Sequence, residues 1–264
     1  MLFACMNGYL DLVDCRFVPT KTADAKILNS RSWFPDDNFY DGPSWEGVCL
    51  GLQSFLDQIF PDRQIQNYVL NLCAEKLDGV LRREEFVFHL GSGANGKSVF
   101  QDLLQATFGD YYQNSEFSMS NLIKSNTRIV KFHTCGKQIE DDTIKWLTSK
   151  IKYVPYTACG DCQYDNGMYM CNMEANAMPK INDIEAKLRI RVINYPSRFV
   201  ERNDPKLSDP STYPNHFPID YDVRKRIENW APFFLKMLFE RYKVLKANGF
   251  KQLEEEIPDI VRLL

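Results

Sequence analysis

The chain has 264 residues, 44% of them hydrophobic and 25% charged, with 13 glycines and 13 prolines; this suits one large or two unequal globular units and excludes collagen-like, low-complexity and disordered classes. Lys and Arg number 32 against 35 Asp and Glu, a formal charge of −3, so no global positive field holds the chain on nucleic acid or an anionic membrane, and any nucleic-acid contact must be local. The eight cysteines are scattered, with no secretory leader before them; they read as reduced thiols in an intracellular compartment, and no apolar run approaches the roughly 18 residues of a membrane helix.

Turn signals at Pro35-Asp-Asp-Asn38 and Gly42-Pro-Ser44 interrupt the first eighty residues, and Ile65, Tyr68, Val69, Leu72 and Leu77 then fall at helical spacing before Gly79. Residues 1–80 therefore read as a mainly helical lead-in. Glu85 to Leu90 is a short apolar run bounded by glycine, as in a buried parallel strand. The next helix carries Val99, Phe100, Leu103, Leu104 and Phe108 on one face and stops at Gly109. A strand at Arg128 to His133, a helix at Thr143 to Ser149, a hairpin region at Ile151 to Asn166 and strands at Met168 to Glu174 and Arg189 to Tyr195 follow. This alternation predicts an α/β core over 81–205, three-layered with a mainly parallel sheet. Glu201 to Tyr221 holds Pro205, Pro210, Pro214 and Pro218 and reads as an irregular surface connection. Within the C-terminal helical segment 206–264, Ile227, Trp230, Phe234, Met237, Leu238 and Tyr242 form one stripe of a helix that begins near Val223 and ends by Gly249.

The chemistry lies between the first core strand and its helix. Gly91-Ser92-Gly93-Ala94-Asn95-Gly96-Lys97-Ser98 fits the phosphate-loop pattern G-x-x-x-x-G-K-[ST] in a context that gives it physical meaning. The glycines let backbone N–H groups turn inward around phosphate oxygens, and the new helix presents its positive end. Lys97 is placed at the β- and γ-phosphates of ATP or GTP, and Ser98 at Mg²⁺, against the alternative of an ordinary glycine turn.

Gly93-Ala94-Asn95-Gly96-Lys97-Ser98, followed by Asn176-Ala-Met-Pro179, resembles the superfamily 3 helicases. An Asn before Gly-Lys-Ser, and an isolated Asn closing a strand with Pro three residues on, set that group apart. Arg189-Ile-Arg-Val-Ile-Asn-Tyr-Pro-Ser-Arg-Phe199, and the region from Asn7-Gly-Tyr-Leu-Asp-Leu12 to Gly79, look like the poxvirus- and asfarvirus-type primase-helicases of large DNA viruses. The resemblance spans most of residues 1–200. It implies an AAA+ type P-loop ATPase that uses ATP and Mg²⁺ and assembles as a homo-oligomeric ring, a hexamer. It also implies single-stranded or forked DNA and a primase domain or other replication proteins as partners, host cytoplasm as the setting, and no membrane. Asn176 matches the residue that senses the γ-phosphate and positions water; the bland alternative is a turn Asn before Pro. An arginine finger for the neighbour's ATP is expected shortly afterwards, at Arg189 first and Arg191 second, against the alternative of strand-face arginines paired with surface carboxylates. Alternation along a strand puts both on one face.

The same resemblance implies an apolar strand ending in carboxylates, the first holding Mg²⁺ through water and the second activating the attacking water. Glu140-Asp141-Asp142 is the acidic cluster at a suitable distance, with Asp141 as the metal candidate. However, Thr134-Cys-Gly-Lys-Gln138 before it is too polar for a buried strand, and the three acids equally read as caps of the helix at Thr143. Glu174 is a substitute. Lys150, Lys152 and Tyr153, with Tyr164, are the DNA-contact candidates of a pore hairpin, against an ordinary solvated loop. Cys159-Gly-Asp-Cys162, with Cys171 and His133 or Cys135, is a weak zinc pattern beside a reading as free thiols. Two other functions compete with a helicase motor: a packaging or scaffold ATPase that does not unwind DNA, and a small-molecule kinase. Asn95 and Asn176 speak against the kinase.

Overall fold

Strands whose neighbouring side chains are all apolar must be covered on both faces, and the core of this chain is built from such strands. A computed structural model describes residues 1–20, 33–35, 44–118, 123–124, 126–133, 139–149, 152–154, 163–165, 169–251 and 257–262. In chain order its elements are β1 (Leu2–Cys5), β2 (Gly8–Asp11), β3 (Arg16–Pro19), α1 (Ser44–Ile59), α2 (Arg63–Glu75), β4 (Phe86–Leu90), α3 (Lys97–Phe108), β5 (Tyr112–Glu116), β6 (Ile129–His133), α4 (Asp141–Thr148), β7 (Lys152–Val154), β8 (Gln163–Asp165), β9 (Met170–Ala175), α5 (Ile184–Leu188), β10 (Ile190–Asn194), β11 (Arg198–Val200), β12 (His216–Pro218) and α6 (Ile227–Ala247).

The central sheet runs β10-β4-β9-β6-β5, every neighbour parallel. Pleating sends alternate residues to opposite faces. Val87, Ile129, Met170 and Ile193 pack with Phe100, Leu103 and Leu104 of α3, and beyond them with Leu56, Leu72 and Phe234 of the outer helices. Phe86, Phe88, Phe132 and Met173 face the other way, onto Ile144 and Leu147 of α4 and Ala186 of α5. The α/β fold with helices on both sides of a parallel sheet is the one read from the sequence. Among the described residues, no helix is long and apolar enough to cross a membrane.

The helical reading of residues 1–80 needs correction at its start. Residues 2–19 form a three-stranded antiparallel meander, with Cys5 opposite Gly8 and Asp11 opposite Arg16. Phe3, Cys5, Leu10 and Leu12 are buried at a spacing of two, and Asn7-Gly8 marks the first turn, so the period is that of strands. A Cβ at Gly8 would collide with the Val18 carbonyl. Phe3 stacks on Tyr111 at 4.6 Å, and Tyr111 Oη accepts from Ala4 N at 3.0 Å, which joins the meander to the main core. The proline-rich connection is also not wholly irregular, because β12 pairs in parallel with β11, Arg198 opposite His216. The hairpin expected at 151–166 is represented by β7 and β8, paired antiparallel with Lys152 opposite Asp165 and Tyr153 opposite Tyr164.

At the end of the sheet where β4 and β10 begin, buried charges tie α2, the segment that follows it and α6 together. Glu75 meets Lys76 Nζ at 2.7 Å and Arg83 at 2.8 Å; Asp78 meets Arg82 at 2.5 Å and accepts from Tyr242 Oη at 3.1 Å. Burial alone would raise the Glu75 pKa, but Lys76 and Arg83 outweigh it and hold the carboxyl below its ordinary value. Replacing Glu75 with Gln would leave two buried cations short of their partner, so Glu75→Gln should cost about 3–5 kcal/mol at neutral pH. A depressed carboxylate pKa contributes stability that is present above the unfolded value, about 4.3, and lost as pH falls through the folded one. The gap between wild type and variant, measured by urea unfolding, should therefore narrow below about pH 4.

Candidate nucleotide site

The loop that leaves β4 is shaped by backbone that few residues adopt. Gly93, Ala94 and Gly96 have φ of 96°, 48° and 83°, and such left-handed turns point successive N–H groups into one concavity. At Gly96 a Cβ would run into Ile59 Cγ2, so this position requires glycine twice over. Neighbours fix the loop from outside: Phe199 N donates to Ala94 O at 2.7 Å, Gly91 N to Ala175 O at 3.2 Å and Tyr195 N to Leu90 O at 2.8 Å. Asn95 folds inward and is 4% exposed; its Oδ1 accepts from Lys97 N at 3.4 Å, and its Nδ2 is buried with no partner.

Helix α3 starts at Lys97, and its cap, Gly96, offers no side chain to the first N–H groups. Those donors and the helix dipole are left for an anion. Lys97 Nζ donates to Gly91 O; burial lowers its pKa, while the charge of Glu174 pushes the other way. Ser98 Oγ donates to Glu174 Oε2 at 3.1 Å, and Glu174 Oε1 accepts from Lys131 Nζ at 2.8 Å. Lys97, Ser98, Glu174, Asn176 and Arg224 line a cavity of about 720 Å³. Inward N–H groups, an orphaned amide donor and a buried lysine fit phosphate oxygens; a hydroxyl beside a carboxylate fits a hydrated divalent cation.

Known proteins agree with this reading at a coarse level. No family model matches the chain. It is similar to "Putative helicase L207/L206" of Acanthamoeba polyphaga mimivirus, 23% identical over 217 residues, and to "Putative helicase 121R" of Invertebrate iridescent virus 3, 27% identical over 292 residues. These alignments cover 75% and 99% of this chain but only 23% and 30% of the relatives, so the chain spans less than a third of either. Among solved structures, the apo C-terminal region of NrS-1 (305–718) superposes with a TM-score of 0.55 at 16% identity, over 88% of this chain and 56% of that one. The last likeness is one of fold. The chain is thus homologous to viral proteins named as helicases.

Several expected site residues lie elsewhere. Glu140, Asp141 and Asp142 do not line the phosphate cavity, although Ile139 does. Glu140 is the cap residue of α4, Asp141 accepts from Asn182 N at 3.2 Å and Asp183 N at 2.9 Å, and Asp142 pairs with Lys145 at 2.9 Å. Asp141 tethers a loop, and the other two acids stand at the start of α4. Arg189 is the C-terminal cap of α5, not a strand residue, so alternation does not relate it to Arg191. Its guanidinium donates to Lys145 O at 3.0 Å and pairs with Glu185 at 2.8 Å and Glu84 at 3.2 Å; Arg191 pairs with Glu85 at 3.0 Å. Both stand where β10 starts, at the end of the sheet opposite the loop. Lys150, Cys135, Cys159 and Cys162 fall outside the described residues, as do the side chains of Lys152, Tyr153 and Tyr164. Cys171 is buried in the second core, its Sγ donating to Leu147 O at 3.4 Å. Among the described residues, no group of three potential metal ligands occurs.

Two features were missed by sequence reasoning. Arg198 reaches Ser92 Oγ at 3.4 Å, and Arg224, from the turn before α6, stands in the cavity and pairs with Asp102 at 3.4 Å. Arg198 is marked in the sequence by its place just beyond a core strand, in the run 189–199 that carries the resemblance. Behind the loop, His89 Nδ1 lies 2.9 Å from Tyr195 Oη and Nε2 lies 3.0 Å from Asn172 Oδ1. The Asn oxygen only accepts, so Nε2 carries the proton and Nδ1 accepts from the tyrosine. Burial lowers the His89 pKa to about 4. The unfolded chain protonates near pH 6.5, so stability is full above that value and falls as pH drops towards 4. From pH 7 to pH 5 this one group should cost about 2 kcal/mol. Urea unfolding of wild type and His89→Gln at both pH values checks it: the variant should lose less stability on acidification.

Proposed function

We propose that this chain is the ATP-hydrolysing motor segment of a viral replicative helicase of the superfamily 3, AAA+ type, working as a hexameric ring on single-stranded or forked DNA beside a primase domain or other replication proteins. The observation that carries the reading is the phosphate loop between β4 and α3, with Lys97 and Ser98 facing Glu174 and Asn176 across one cavity. Mg²⁺, when bound, supplies positive charge against the β- and γ-phosphates. The loop N–H groups grip the phosphates and exclude water from that side. Lys97, already desolvated, exchanges its bond to Gly91 O for phosphate oxygens, and Asn176 orients the attacking water with its amide.

Arg189 and Arg191 would have to leave ion pairs within their own subunit to reach a neighbour's nucleotide. Arg198 and Arg224 already stand beside the loop, and they are the better source of an added cation at the phosphates. DNA contacts fall to Lys150, Lys152 and Tyr153 on and beside the β7–β8 pair, where ammonium groups meet phosphate and the ring stacks on bases.

Wild type should hydrolyse ATP, and single-stranded DNA should raise the rate. Lys97→Ala should reduce turnover roughly 100-fold or more, because an electrostatic clamp on the reacting phosphates is lost, with the circular dichroism spectrum unchanged. Lys150→Ala with Lys152→Ala should weaken single-strand binding and flatten its salt dependence by roughly 0.7 in log-log slope per lost contact. Turnover that survives Lys97→Ala would reject the nucleotide site; turnover indifferent to DNA would reject the helicase reading.

A further inference from the structure

The geometry points to Glu174 as the carboxylate that serves the metal site of the phosphate loop, with Lys131 as its positioning residue. This rests on the nucleotide site proposed above and assigns a group that the acidic cluster at 140–142 does not supply. Strand β6 is separated from β4 by β9. It ends at His133, and the sequence from there, His-Thr-Cys-Gly-Lys-Gln-Ile139, holds no Asp or Glu. Of the next acids, Asp141 is bonded to the loop at 182–183, Asp142 pairs with Lys145, and Glu140 stands at the N-terminus of α4; none of them lines the cavity. Strand β9 lies directly beside β4, with Glu174 in register with His89 and Ala175 with Leu90, the residue before Gly91. Its carboxylate is therefore delivered to the start of α3 without any loop to span.

Two contacts show how the carboxylate is held. One oxygen accepts from Ser98 Oγ, and the other from Lys131 Nζ. Lys131 is a charged residue in the otherwise apolar run Ile129-Val130-Lys131-Phe132, and its side chain is only 16% exposed, that of Glu174 20%. Placing an ammonium inside a core strand carries a desolvation penalty. Pinning the acid in the position where it meets Ser98 accounts for it. A divalent cation taken by Ser98 would then find a second oxygen donor already in place, either as a direct ligand or through a bound water.

Metal binding, read apart from turnover, tests the assignment. The Mn²⁺ affinity of the ADP complex, followed by electron paramagnetic resonance, should fall about 10- to 100-fold in Glu174→Gln, the usual cost of removing a partner that orients a metal ligand. ADP binding in EDTA should stay as in wild type. Lys131→Met, which frees the acid without removing it, should give a smaller loss. Equal Mn²⁺ affinity in Glu174→Gln and wild type overturns the proposal, as does a loss seen in Asp141→Asn but not in Glu174→Gln. If the Gln variant does not fold, Glu174→Asp replaces it: withdrawing the carboxylate from Ser98 by one methylene must also weaken Mn²⁺, and equality with wild type again refutes the role. Wild type that binds no nucleotide would remove the nucleotide site itself; wild type that binds ADP but shows no Glu174 effect removes only this assignment.

Discussion

Parallel pairing of β4 with β9 is the constraint on which the rest of the site depends. The register is fixed along the whole of β4, from Phe86 opposite Cys171 to Leu90 opposite Ala175, and a slip of one residue would turn every buried side chain of β9 to the wrong face. With Met173 locked into one core and Asn172 bonded to His89 on the other side, Glu174 has a single direction in which to point. The phosphate loop inherits the same register through Gly91 N to Ala175 O. Glu174 and the start of the loop are thus set by strand pairing and not by loop conformation, which is how a rigid element gives a site its precision.

Charge is distributed along the sheet accordingly. At the end where β4 and β10 begin, Glu75, Asp78, Glu85, Arg82, Arg83 and Arg191 neutralise one another in a mostly buried network. At the other end, Lys97 and Glu174 line a cavity, with the unpartnered amide of Asn95 beside them and Lys131 paired to Glu174. One end holds elements together and the other is left with binding capacity. Arg189, paired with Glu84 and Glu185, stands at the first end.

What could be read from the sequence followed from local rules. The phosphate loop was legible because glycine spacing, a preceding apolar run and a following amphipathic helix agree with one another. Strand β4 and helix α6 were legible from burial on every side or along one stripe. The meander was missed because four-residue strands give too few alternations to stand out, and β5 because Gln-Asn-Ser on an edge strand carries no apolar signal. Glu174 could be named only as a substitute for another reason: Glu140-Asp141-Asp142 is the more conspicuous cluster, and only the strand order brings the glutamate of β9 to Ser98. Arg189 was misplaced through one residue of helix boundary, where α5 ends and β10 begins.

A structure of the chain with Mg²⁺ and a non-hydrolysable ATP analogue tests the central claim most directly. The account predicts the triphosphate enclosed by residues 91–98, Lys97 Nζ moved from Gly91 O to the phosphates, the metal on Ser98, and the Glu174 carboxylate in direct or water-bridged contact with it. A metal whose remaining shell is completed by Glu140, Asp141 or Asp142, or a triphosphate bound away from the loop, would contradict it.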